Sequence, residues 1–168
     1  MLCIKSTLIS ALALILALAL ASVVSAQKIV TIKSKSKFCL LLPPRGGLVN
    51  DTEAATSYCT QSGLSSPQLF PTDFIVSANY KKNYDDNWIQ ITGRFDRCQH
   101  NLSIDDKGGQ YDSVNPSPSG SLCKDYDHYV EILEPDVEHY CLRCCQNKSD
   151  CPTNKGDLGC EKALGGIY

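Results

Sequence analysis

Residues 73–96 read "DFIVSANYKKNYDDNWIQITGRFD". Phe74, Val76, Ala78 and Tyr80 fall on one face of an extended chain, and Ile75, Ser77 and Asn79 on the other. After a polar "KNYDDN", Ile89, Ile91 and Phe95 alternate with Trp88, Gln90, Thr92 and Arg94. Two period-2 runs across a short turn-forming segment predict a β-hairpin. Phe74 and Val76 are expected to pack on Ile89 and Ile91, near the strand that carries Ile132. Gly93 interrupts the second run, where a bulge or a close backbone approach calls for the missing side chain. Trp88 shares the face opposite Ile89 and Ile91, so either both faces are covered or Trp88 is exposed.

Outward from the hairpin the pattern stays β-like. "KIVTI" alternates, and Phe38–Leu42 is a short apolar run stopped by Pro43-Pro44 and Gly46-Gly47. Lys33, Lys35 and Lys37 between them read as a solvated edge stripe. "DHYVEILEPD" is a further strand ended by Pro135. The composition of residues 104–121, "IDDKGGQYDSVNPSPSGS", predicts loop. Helix is expected only in "NDTEAATSYC", where Asn50 or Asp51 would cap and Glu53 would sit in the first turn. The fold class is therefore mainly β: a small, disulfide-stabilised, β-rich single domain with one short helix.

The N-terminus sets the redox compartment. Lys5 precedes an apolar stretch, Leu8 to Val24, and Val24-Ser25-Ala26 places small residues before Gln27. This is the layout of a cleaved signal peptide over residues 1–26, with a secreted domain over 27–168. Removing Lys5 leaves 15 basic against 18 acidic residues, a net charge of −3. Such a chain offers no electrostatic footprint for nucleic acid or an anionic membrane. Nothing after the signal is apolar enough to span a bilayer.

Nine cysteines follow the signal, and secretion makes half-cystines of them rather than metal thiolates. "CLRC" is a single CxxC with no second Cys or His pair at finger spacing. An odd count leaves one cysteine unpaired or bridging two chains. Asn50, Asn101 and Asn147 begin glycosylation sequons and belong on the surface. Catalytic constellations fail on spacing. His128 and Glu131, with Arg94 elsewhere, have the composition of a nuclease site, but a separation of three puts them on opposite strand faces. No GxSxG occurs. Asp105, Asp106 and Asp112 surround Gly108-Gly109 without the order of a calcium loop, so turn hydrogen bonds are expected of them. No cofactor and no metal is expected.

Four segments, "WIQITGRFD", "DDKGGQYDS", "LCKDYDHYVEILEP" and the CxxCC–x5–C–x8–C ending at Cys160, carry a resemblance. The chain resembles, over about residues 37–168, a family of small secreted cysteine-rich fungal proteins, some labelled macrophage-activating glycoprotein. The resemblance implies secretion, glycosylation and a disulfide-held domain, and brings no catalytic residues. It implies that Cys39, Cys59, Cys123, Cys141, Cys144, Cys145, Cys151 and Cys160 form the bridges. Cys98 falls where the family has no fixed cysteine, and is expected to be a free thiol or the link of a dimer. Arg97 and His100 flank it, and nearby positive charge favours a thiolate. The expected function is a non-enzymatic extracellular role at the cell wall or a host interface, effector-like. The expected partner is an extracellular protein or a cell-wall polysaccharide. A small secreted hydrolase or carbohydrate-binding module is the alternative.

Overall fold

A computed structural model describes residues 28–114 and 118–168. The signal segment lies outside the described residues. Two sheets pack face to face. The first has four strands in the order β3-β2-β1-β7: β1 (Ile29–Ser34), β2 (Lys37–Leu42), β3 (Thr56–Cys59) and β7 (Leu122–Cys123). The second has five, in the order β4-β5-β9-β8-β6: β4 (Asn79–Asn83), β5 (Trp88–Arg94), β6 (Gly109–Asp112), β8 (His128–Glu134) and β9 (His139–Cys145). Neighbours are antiparallel throughout, except that β7 runs parallel to β1.

Alternation explains the layering. On β5, Ile89 and Ile91 face the first sheet, beside Tyr140 and Leu142 of β9 and Tyr129 and Leu133 of β8. They meet Val30, Ile32, Phe38, Leu40 and Leu42. The other face of the second sheet is also covered. Trp88, Val130 and Ile132 pack beneath Ala163, Leu164 and Tyr168 of the C-terminal segment, which contains the only α-helix among the described residues, α1 (Gly159–Ala163). Trp88 is thus buried with both faces of its sheet occupied. The strand that carries Ile132 does lie near Ile89 and Ile91, through Tyr129 and Leu133, while Ile132 itself is on the outer face.

The hairpin forms with a shifted start. Asn79 pairs with Thr92 and Asn83 with Trp88. Upstream, residues 74–78 are irregular: Val76 and Ser77 both donate their N–H to the Arg94 carbonyl. This two-to-one pairing turns Val76 outward, 59% exposed, while Phe74 stays in the core. Gly93 is the close approach that the sequence suggested, because a Cβ there would strike the Ser77 carbonyl oxygen.

Three other expectations are corrected. Residues 50–59 are not a helix: a 3-10 turn, Thr52–Ala54, leads directly into β3, and Asp51 makes no side-chain cap. Cross-strand pairing of Thr56–Cys59 with Cys39–Leu42 overrides the helix preference of Glu53, Ala54 and Ala55. Residues 104–121 are not all loop, since Gly109–Asp112 pairs with Val130–Leu133 as an edge strand. Lys33, Lys35 and Lys37 do not form a stripe, because the β1–β2 hairpin turns at Lys35 and Ser36.

Four disulfides brace these layers. Cys39–Cys59 joins directly opposed residues of β2 and β3. Cys123–Cys144 ties β7 to β9, and so one sheet to the other. Cys141–Cys160 and Cys145–Cys151 fasten the C-terminal segment across the outer face. The "CLRCC" motif thus obeys the period of a strand: Cys141 and Cys145 point outward and Cys144 inward.

Candidate functional site

Where β6 pairs with the end of β8, the C-terminal segment stands off the sheet and leaves a cleft of about 540 Å³. Asn50, Gln110, Glu134 and Asp157 line it, among Gly108, Gly109, Gly156 and Gly159. The glycines shape it. A Cβ on Gly108 would strike the Leu133 carbonyl oxygen, and one on Gly159, with φ 73°, would strike the Glu134 carboxylate. The backbone can therefore approach the strand end on both sides, and polar side chains reach inward.

The polar groups are unevenly matched. Gln110 donates both amide hydrogens, to Asp112 Oδ2 at 2.8 Å and to the Thr153 carbonyl at 2.6 Å. Both partners are acceptors, so the orientation of the amide is fixed by chemistry. Its Oε1 is left beside Gly156, buried and without a donor. Glu134 accepts from the Cys160 N–H through Oε2 at 2.9 Å. Asp157 is exposed and makes no hydrogen bond or ion pair with the described residues. Lys107, the cation on this cleft, is held by Asp136 at 3.1 Å. The cleft thus carries two carboxylates, Glu134 and Asp157, together with the Asn50 amide and the largely exposed Lys107 side chain.

Beyond Glu134 and Gly159 the cleft continues into a shallower recess of about 200 Å³. Its walls include Val137 and Leu158, about half exposed, and His139, whose ring stacks on Tyr168 at 4.6 Å. A polar end and a more apolar end therefore adjoin along one groove.

The residues singled out by sequence lie elsewhere, with one exception. Asn50 is exposed on the cleft wall; Asn101 and Asn147 are exposed on distant turns. His128 and Glu131 occupy opposite faces of β8, and Glu131 is wholly buried between the sheets. There it accepts one hydrogen bond, from the Leu41 N–H at 3.1 Å, and burial holds its carboxyl well above the usual carboxylate range. Arg94 pairs with Glu138 at 3.4 Å. Asp106 and Asp112 accept backbone N–H groups in turns, Asp106 from Val49 and Gly108 and Asp112 from Val114. Among the described residues no three His, Cys, Asp or Glu side chains gather as metal ligands.

Cys98 carries a free, exposed thiol on a 3-10 turn, Arg97–His100. Its flanking charges are committed elsewhere. Arg97 binds Glu138 at 3.0 Å, and His100 is buried with Nε2 on the Pro43 carbonyl at 2.8 Å. Burial lowers the pKa of His100, so it supplies no positive charge to its neighbour. Sequence reasoning missed Gln110, Glu134 and Asp157. Gly156 and Gly159, set among cysteines and turns, gave a weak signal for them.

Fold and cleft together define a small, disulfide-braced, two-sheet β protein with a polar groove at one sheet edge. No family profile and no solved structure matches the chain. The chain is similar to appressorium protein ROW2 of Mycosarcoma maydis, at 30% identity over 148 residues. That alignment covers 77% of this chain and 50% of the relative, so the chain spans about half the length of the curated relative it matches. The fungal part of the resemblance read from sequence is supported, whereas the macrophage-activating label has no counterpart in this relative's name.

Proposed function

We propose that this chain is a secreted fungal glycoprotein that acts without catalysis at the cell wall or host interface. The observation that carries the reading is the bracing: four bridges span strand to strand, sheet to sheet and sheet to C-terminal segment. Bridges of this kind form and persist in oxidising compartments. The similarity to a protein named for the appressorium supports an infection-structure surface as the setting. Among the described residues no helix is long and apolar enough to cross a membrane, which is compatible with an extracellular location. The signal over residues 1–26 and glycans on Asn50, Asn101 and Asn147 belong to the same proposal.

The test is expression of the tagged full chain in a filamentous fungus, followed from spore to infection structure. The expected result is recovery from the medium or wall, an N-terminus at Gln27, and glycan mass removable from the three sequons. Retention inside the cell with reduced cysteines would overturn the reading. The partner proposed for this role is an extracellular protein or a cell-wall polysaccharide.

A further inference from the structure

We propose that the glycan carried by Asn50 folds back into the cleft at the β6–β8 edge, which is the seat of the chain's own first sugars. This rests on the secreted, glycosylated reading above and names the occupant of the cleft. The first observation is where the sequons stand. Of the three acceptor asparagines, Asn50 lines the cleft, with Gly108, Gly109 and Asp157. Its side chain lies against the backbone of Gly109, where a Cβ would strike Asn50 Oδ1. The first sugar therefore starts against a lining residue of the cleft. Asn101 and Asn147 are placed differently. Asn101 Oδ1 accepts from Arg45 at 3.2 Å, the Asn147 amide donates to Asp150 Oδ2 at 3.2 Å, and neither lines the cleft. The Asn50 amide makes no hydrogen bond with the described residues, so a sugar on its nitrogen displaces no contact of the fold.

The second observation is the mixed chemistry of the walls. Carboxylates at Glu134 and Asp157 face the cleft together with Lys107, which pairs with Asp136 at 3.1 Å while its side chain stays 80% exposed. A charged ligand meets both signs there. N-acetylglucosamine, the sugar joined to a sequon asparagine, is neutral, and its hydroxyls and acetamide both donate and accept. The third is size. The cleft volume of about 540 Å³ lies within the roughly 300–1,000 Å³ of sites that hold small ligands. At Glu134 and Gly159 it adjoins the recess flanked by Val137 and Leu158, whose apolar surface suits the C–H face of a further ring. Such a polar cleft is poorly suited to tight capture of a free sugar, and a tether removes that requirement. Attachment at Asn50 raises the effective concentration of the first sugars to the order of millimolar, so weak contacts suffice. Seated in this way, the glycan straps the C-terminal segment at the place where it stands off the sheet.

The test uses full-length protein secreted by a filamentous fungus, with its glycans in place. The folded protein is digested with an endoglycosidase that cuts between the two core N-acetylglucosamines of high-mannose chains, and release at each sequon is followed by glycopeptide mass. The expected result is release at Asn50 about tenfold slower than at Asn101 and Asn147, as for a glycan seated about nine-tenths of the time, because cleavage follows the open fraction. Reduced, denatured protein should lose all three at similar rates. Asp157 is exposed and makes no hydrogen bond with the described residues, so Asp157→Trp leaves the fold intact and fills the cleft mouth. That variant should bring Asn50 to the rate of the other two. Asn50→Gln should speed hydrogen exchange at residues 156–159 by a similar factor, and Asn101→Gln should leave it unchanged. Native release at Asn50 as fast as elsewhere, slow release that survives Asp157→Trp, or unchanged exchange in Asn50→Gln would overturn the seating. So would secreted protein with Asn50 bare, which leaves the secretion reading standing on an N-terminus at Gln27. Retention inside the cell would instead overturn the extracellular premise, and the seating with it.

Discussion

Glu131 sits between the two sheets with no exposure and one hydrogen-bond donor, the Leu41 N–H. Tyr111 lies opposite it on β6, and the Tyr111 hydroxyl has no partner either. Burial raises the folded pKa of Glu131, so the folded protein keeps this proton at a pH where the unfolded chain has released it. Unfolding then releases a proton, and stability falls as pH rises from about 4.3, the unfolded value, towards the folded one. Tyr111 and Tyr129 are also raised by burial and stay neutral across that window, while Asp106, the nearby carboxylate, is held by two backbone donors. Denaturant midpoints should therefore decline from acid to neutral pH in the native protein. Glu131→Gln should flatten that decline and raise the midpoint at neutral pH. A flat native profile would show that the carboxylate finds compensation. Ile91 tests the neighbouring packing: Ile91→Ala should cost about 2–4 kcal/mol by opening a cavity, read from the same midpoints. At Cys98 a thiol reagent should label the native, unreduced protein on that residue alone.

At the scale of elements, the C-terminal segment is held by more than its bridges. Arg143 projects from the outer face of β9 and donates to Gln90 Oε1 at 2.8 Å, to the Asp150 carbonyl at 3.0 Å and to the Leu164 carbonyl at 3.1 Å. Its guanidinium lies 4.3 Å from the centre of the Trp88 ring. Lysine cannot reproduce this fork. Arg143→Lys should destabilise the fold by about 1–3 kcal/mol, the range for hydrogen bonds to a charged group left unmade. It should also speed proteolysis between residues 146 and 168 more than elsewhere, which peptide mapping would show. The strands β5 and β8 are legible in the sequence because their alternation is local, whereas β9 is not read as a strand there, its three cysteines standing out as a bridge cluster instead. The sequence hid β3, since the preference of Glu53, Ala54 and Ala55 is local and the pairing that defeats it reaches back to Cys39–Leu42. It hid the groove for a related reason. Gln110, Glu134 and Asp157 meet only once β6 has paired with β8 and the Cys141–Cys160 bridge has folded the tail over.

In the whole molecule, Cys123–Cys144 is the bridge that crosses between sheets. Replacing both residues by Ala should lower stability by about 2–4 kcal/mol. Hydrogen exchange should then quicken in the short strand β7 before it does in β5, whose neighbours on both sides remain. The three cysteines of β9 carry a further consequence. A slip of one residue against β5 and β8 would turn Cys144 to the outer face and Cys141 and Cys145 to the inner one. None of the three bridges that β9 carries could then close, and the strand would keep its thiols until it re-paired. Covalent closure thus acts as a proofreading step, locking the chain only after the central strand has found its place.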